Sequence, residues 1–270
     1  MSFVRLGLLL FFSLLSYSGW AQQPVGLTAT PPPPQRDPQA LTVLNQALVV
    51  AGGSTKVGAV QDCTASGTIT YYWAGQEIQG TVSVKSHGLT QLSIKAAVPQ
   101  GVRTVVISNG IGSIKDINGQ IRTIQNTVNL GSLTLPIANL VATLNDNTSS
   151  INYIGLETAE GEQVHHIRIQ EFPSTDNSLN ITMTNLGTRD FYVDASTFRV
   201  KSTLDYTQPK GRIDVNIPHM VQFSDYHLVN GIQVPFSINQ LGAGQQTSTI
   251  QLSQVTFNNG LTDADFQILN

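Results

Sequence analysis

Between residues 37 and 52 apolar positions recur every three or four residues: Ala40, Leu41, Leu44, Ala47, Leu48 and Val49. That is the spacing of one face of an α-helix. Asp37 can accept from the first unpaired backbone N–H groups, Pro38 suits the first helical position, and Gly52-Gly53 closes the element. Beyond it the period falls to two. Ile69, Tyr71 and Trp73 alternate with Thr68, Thr70 and Tyr72. Ile78, Val82 and Val84 alternate with Gln79, Thr81, Ser83 and Lys85, and Leu92, Ile94, Ala96 and Val98 with Gln91, Ser93 and Lys95. Gly75-Gln76, His87-Gly88 and Pro99-Gln100-Gly101 mark the turns between these runs, and Val102 to Ser108 is the next strand. Together they predict a meander of sequential antiparallel strands.

The meander pauses over residues 117–147, where Leu133 to Leu144 is apolar at helical spacing with Pro136 in its first turn. Strands resume at 150–158 and 162–171, and residues 173–187 form a polar connection. Further strands follow at 189–194, 197–206, 212–229, 232–240 and 246–258, the long one broken by Pro218. In the second of these, Phe198, Val200, Ser202, Leu204 and Tyr206 alternate with Arg199, Lys201, Thr203 and Asp205. The predicted fold is mainly β: one curled antiparallel sheet, a half-open β-barrel of about ten strands, with an N-terminal helix and an inserted lid helix. Its apolar face becomes a concave lining. The residues expected there are Ile69, Tyr71, Trp73, Ile78, Val82, Leu92, Ile94, Phe191, Val193, Phe198, Val200, Leu204, Phe223, Phe236, Ile238, Ile250 and Leu252. The same alternation describes a sheet packed on a solid core, and the pattern alone leaves both open.

The ends of the chain bear on its location. Arg5, the apolar run Leu6 to Leu15 and the small residues Gly19 and Ala21 read as a cleavable signal peptide, residues 1–21. Residues 22–36, with Pro31-Pro32-Pro33-Pro34, read as a flexible linker, and 37–270 as one domain. The protein is therefore expected to be periplasmic, or alternatively secreted, with no transmembrane segment after cleavage. Charged residues make up only 11% of the chain and the formal net charge is −3. A mildly acidic chain offers no basic face to nucleic acid. Cys63 is the single cysteine, so no internal disulfide forms and stability must come from a core. With no cation beside it in sequence, Cys63 reads as a buried, inert thiol.

The C-terminal third carries a likeness to a known family. It includes Phe191-Tyr192-Val193-Asp194 followed by Phe198-Arg199-Val200, and Val221 to Tyr226 followed by Val229 to Pro235. It closes with Thr249 to Leu252, Val255 to Asn258 and the finish Asp263-Ala264-Asp265-Phe266. This stretch, and the order of elements over residues 37–266, resembles the LolA-like superfamily of outer-membrane lipoprotein-sorting and periplasmic lipid-carrier proteins. The resemblance implies a half-barrel with helices across its opening. It also implies an apolar cavity that holds acyl chains of a lipid or lipoprotein, and envelope proteins as further partners. The implied function is non-enzymatic binding; a non-catalytic scaffold of the cell envelope on the same fold is the alternative.

Enzymatic signatures are sparse. No Gly-x-Ser-x-Gly occurs, and Gly110-Ile111-Gly112-Ser113 falls at a strand turn. His165 and His166 are adjacent on a strand and point to opposite faces, and no metal-binding spacing joins His87, His219 or His227. Glu157, Glu160 and Glu162 surround a hairpin tip at Gly161. No catalytic residue, metal or cofactor is expected. The sequons at Asn147 and Asn180 read as chance matches in an envelope protein of this type.

Overall fold

The computed structural model describes residues 34–124, 133–171, 187–207 and 215–268. The segment read as a signal peptide and most of the linker lie outside the described residues. Helix α1, Pro38–Ala51, starts as its sequence predicts: the Asp37 carboxylate accepts from Gln39 N at 2.7 Å and Ala40 N at 3.1 Å. It stops at Gly52, which has φ +126; a Cβ there would sit 2.5 Å from the Gly231 carbonyl oxygen. A short helix α2, Ser54–Gly58, follows without having been foreseen. Helix α3, Pro136–Asn145, is the inserted helix.

One sheet holds all the strands of the described residues, thirteen where about ten were expected. They are β1 Asp62–Trp73, β2 Gln76–His87, β3 Gln91–Val98, β4 Gly101–Ser108, β5 Ile111–Lys115, β6 Ile121–Ile124 and β7 Ser149–Ala159. The rest are β8 Glu162–Glu171, β9 Thr188–Asp194, β10 Val200–Thr207, β11 Ile217–Val229, β12 Ile232–Gly242 and β13 Gln245–Phe257. Every neighbouring pair is antiparallel, in the order β6-β5-β4-β3-β2-β1-β13-β12-β11-β10-β9-β8-β7. Two meanders thus meet at the centre, where the first strand pairs with the last, and β6 and β7 are left as the edges. The sheet is open and curled, a half-barrel in the sense predicted.

The β7 edge is partly covered. Gln35 to Asp37 runs parallel to it, with Asp37 N donating to Ile151 O at 2.9 Å and Ile151 N to Gln35 O at 2.7 Å. The Arg36 guanidinium then donates to the carbonyls of Leu144 and Asp146, which close α3. Those carbonyls have no partner within the helix, so a cation is well placed on them. The folded part accordingly begins at least two residues before Asp37.

The other end of the chain closes the convex face. Asp62 accepts from the backbone N–H groups of Asn259, Gly260 and Leu261, at 2.7, 2.9 and 3.1 Å. Burial alone would raise its pKa, but these donors outweigh it and hold the carboxyl below its ordinary value. A terminal 3-10 helix, Asp263–Phe266, then lies against β3 and β4. Asp265 pairs with Lys85 at 2.8 Å, Asp263 accepts from Gln91 at 2.8 Å, and Phe266 is buried with its ring over His87.

Candidate functional site: a half-filled concave face

The concave face is packed at one end and vacant at the other. Helices α1 and α3 press Leu44, Ala47, Leu48, Ile137 and Leu140 onto the strands. They meet Val82, Phe191, Val193, Val200, Phe223, Ile238 and Leu252, all buried in one cluster. Toward the β1–β2, β3–β4 and β12–β13 turns a cavity of about 990 Å³ remains. None of its lining residues belongs to α1, α2 or α3. Among the described residues the helices cover the filled half, and α3 reaches the cavity through its flanking residues Leu133, Asp146 and Thr148.

The seventeen residues expected on the lining separate along this division. Ile69, Tyr71, Trp73, Ile78, Leu92, Ile94 and Ile250 line the cavity. Val82, Phe191, Val193, Val200, Phe223, Ile238 and Leu252 are core beneath the helices, and Phe198 and Phe236 pack at its margin. Leu204 is on the other face. The register between β9 and β10 slips between Val200 and Ser202, so Thr203 pairs with buried Phe191 and Leu204 with Asp190. A bulge adds one residue to the strand and turns every later side chain over. Thr203, Asp205 and Thr207 thereby take the concave side.

The two walls of the cavity differ. On β1 to β5 the wall is mainly apolar: Ile69, Ile94, Val105 and Ile114 lead outward to Tyr71, Val98 and Trp73. Arg103 is the cation of this wall, its guanidinium 5.6 Å from the centre of the Tyr71 ring. On β8 to β13 the chemistry changes in one pleat. Two residues along each strand, Ile169 gives way to Glu171, Phe191 to Arg189, Thr203 to Asp205, Val221 to His219, Ile238 to Gln240 and Ile250 to Ser248. Their registers bring these positions side by side: His219 pairs with Asp205 across β10–β11, Gln240 with Ser248 across β12–β13. The result is a polar belt on the inner surface, running from Glu171 to Ser248.

Within the belt, His219 Nδ1 meets an Asp205 carboxylate oxygen at 2.8 Å. Burial alone would lower the imidazole pKa. The Asp205 hydrogen bond and charge outweigh it, with help from Gln240, and the group ends above its ordinary 6.5. Arg189 is the most enclosed charge, 7% exposed, and burial pulls it down to about 10. Its Nε has no hydrogen-bond partner, and its guanidinium carbon lies 5.9 Å from the centre of the Phe191 ring. Alternation alone missed this belt, because Thr203 and Asp205 looked like a solvent face. The legible signal was the switch from an apolar to a polar residue two places further on, repeated in strand after strand.

The remaining candidates sit elsewhere. His165 bonds the Tyr153 hydroxyl at 2.9 Å, whereas His166 bonds Glu157 at 2.8 Å and stacks on Tyr192, so the two part as adjacent strand residues must. Among the described residues no group of three or more His, Cys, Asp or Glu side chains could hold a metal. Cys63 is buried, with the Thr134 hydroxyl 3.7 Å from its sulfur, and burial pushes its thiol up to about 11. No helix of the described residues is long and apolar enough to cross a membrane.

No family model matches the chain, and no curated protein does. Solved structures do match. A LolA superfamily protein from Nitrosomonas europaea aligns with 85% of this chain and 97% of its own, at TM-score 0.52 and 13% identity. The fold is LolA-like. A second LolA-like match is a domain described as an outer membrane lipoprotein-sorting protein, from Vibrio parahaemolyticus. It has TM-score 0.50 and 12% identity over 84% of this chain and 96% of that one. A DUF1329 family protein from Desulfovibrio piger aligns at TM-score 0.52 and 12% identity, over 84% of this chain and 97% of its own. At such identities the LolA-like likeness carries the fold, and the roles of cavity residues rest on this chain's own geometry.

Proposed function

We propose that this protein is a non-enzymatic carrier of the cell envelope that binds acyl chains of a lipid or lipoprotein in its half-filled concave face. The observation that carries the reading is the unfilled apolar wall of β1 to β5 beside a cavity of about 990 Å³. Pockets for small ligands run to about 1,000 Å³, so this space is large enough for a long aliphatic chain. Each methylene moved from water onto that wall gains about 0.8 kcal/mol. The LolA-like fold supports the reading, since one of the matched structures is described as a lipoprotein-sorting domain. The targeting-type segment at residues 1–21 supports export to the periplasm.

The test is recovery of the protein from its own envelope, followed by native mass spectrometry and titration with a fluorescent fatty acid. The expected result is co-purified lipid, or stoichiometric uptake of the probe by the emptied protein. Repeated recovery without lipid, together with no uptake, overturns the carrier reading.

A further inference from the structure

We infer that the rim of the cavity on β1 to β6 is a membrane-docking edge: Trp73, Val102, Ile117 and Ile121 rest in the interface of a bilayer that carries anionic lipid. The inference goes beyond the carrier reading and needs no lipid in the cavity.

Three observations lead to it. The first is the placing of exposed apolar side chains. In this antiparallel meander the β1–β2, β3–β4 and β5–β6 turns all fall at one end of the sheet. Trp73 closes β1 and is 75% exposed. Val102 near the start of β4, Ile117 in the β5–β6 turn and Ile121 at the start of β6 are exposed as well. Trp73 and Ile117 also line the cavity, so the patch forms its lip. Ile111, Leu156 and Leu228, exposed toward the other end of the sheet, do not line it. An exposed apolar patch continuous with a cavity mouth marks a surface that meets another apolar body.

The second observation is rigidity. Trp73 pairs with Gln76 across a two-residue turn in which Ala74 and Gly75 have φ of 49° and 77°. Two positive values give the turn that matches the twist of a hairpin. Ile117 is held close to Gly101, where a Cβ would lie 2.9 Å from the Ile117 carbonyl oxygen. Fixed backbone therefore keeps an indole in water. Tryptophan, with an apolar body and a polar N–H, suits the boundary between water and hydrocarbon.

The third observation is charge. The whole chain is net −3, yet these hairpin ends carry Lys95, Arg103, Lys115 and Arg122 against Glu77 and Asp116. Asp116 is engaged by its own turn, accepting from Asn118 N and Gln120 N at 2.9 Å each. Arg103 lies over the Tyr71 ring, 5.6 Å from its centre. The other acids of the cavity, Asp146, Glu171 and Asp205, come from the end of α3 and from β8 and β10, outside the docking edge. A basic, aromatic edge complements an anionic lipid surface and would meet like charge on a second copy of itself.

The experiment mixes protein recovered from its own envelope with vesicles of phosphatidylcholine alone, or of phosphatidylcholine with an equal part of phosphatidylglycerol. Sedimentation reads association, and quenching by brominated acyl chains reads insertion. Trp20 and Trp73 are the only tryptophans, so quenching that is absent from Trp73→Phe belongs to Trp73 whether or not residues 1–21 have been removed. Binding to the anionic vesicles should be at least about tenfold tighter than to the neutral ones, with Trp73 quenched. Trp73→Ser should weaken it by about tenfold or more. Leu228→Ser, at the other end of the sheet, should bind as the unaltered protein does. Both side chains are too exposed for these changes to unfold the protein. Absence of association overturns the docking edge, as does equal binding to the two kinds of vesicle. So does sedimentation without quenching of Trp73, binding that Trp73→Ser leaves unchanged, or an equal loss in Leu228→Ser. A dimer whose Trp73 is shielded from iodide before vesicles are added assigns the rim to a second copy and overturns it too. Each of these results leaves the carrier reading standing, since lipid recovery and probe uptake decide that separately.

Discussion

His219 and Asp205 face each other across β10 and β11 with 2.8 Å between imidazole and carboxylate, in the wall of the cavity and mostly shielded from solvent. The pair gives the fold a pH dependence of definite sign. Because the folded imidazole titrates above its unfolded value of 6.5, the stabilisation is complete below that value. It is lost as pH rises through the higher folded value. Asp205→Asn is therefore expected to lower stability by about 1–2 kcal/mol near pH 5.5 and by much less near pH 9. Urea unfolding of both proteins at the two pH values checks this. A difference that grows with pH would contradict the pairing.

Phe266, 2% exposed, anchors the chain end on the convex face. The neighbouring Lys85–Asp265 contact is partly in solvent and should matter little. Phe266→Ala is expected to cost about 3 kcal/mol, the usual result of emptying a buried aromatic site, whereas Asp265→Asn should leave the unfolding midpoint almost unchanged. Thermal unfolding followed by circular dichroism distinguishes the two. Equal effects would mean that the ion pair, and not the ring, holds the strap.

Much of this fold could be read from periodicity because its strands are long and its turns short. Asp37 and Gly52 bound α1 as their chemistry requires, and the runs ending at Trp73, Val98 and Glu171 were legible as strands. Strands β5 and β6 escaped because Gly112 and the charged Lys115 and Arg122 break the alternation over very short spans. Helix α2, five residues long, is below the length at which a helical period declares itself. The bulge that turns Leu204 outward depends on the partner strand, and a single strand's sequence does not hold that information. For the same reason the alternation could not distinguish core from cavity. Ile69 and Ile238 carry the same pattern, yet one borders open space and the other lies under α1 and α3.

Gly67 sits where β1 slips against β13, and a Cβ there would come within 2.0 Å of the Gln251 carbonyl oxygen. Backbone must move to admit any side chain. Gly67→Ala is expected to destabilise by about 2 kcal/mol or more. Gly155, on the β7 edge with nothing within 4 Å and no positive φ, should accept alanine with little change or a small gain. Chemical denaturation of the two variants checks the contrast, and a tolerated Gly67→Ala would show that the central β1–β13 seam is looser than its register implies.

The division of the concave face into filled and vacant halves makes opposite forecasts for one substitution at two isoleucines. Ile238 is fully buried against the helices, so Ile238→Trp must displace packed atoms, at a cost of about 1–3 kcal/mol. Ile94 borders the cavity, so the added ring of Ile94→Trp can enter empty space, and stability should hold or rise slightly. Uptake of an acyl probe should respond the other way. The indole in Ile94→Trp takes room that about three methylenes would occupy, which at about 0.8 kcal/mol each is a loss of roughly fiftyfold in affinity. Ile238→Trp, where folded, should bind the probe as before. Unfolding midpoints and probe titrations on both variants give four values. Loss of stability at Ile94 with unchanged uptake would mean that the space beside β3 closes in solution and that the ligand lies elsewhere.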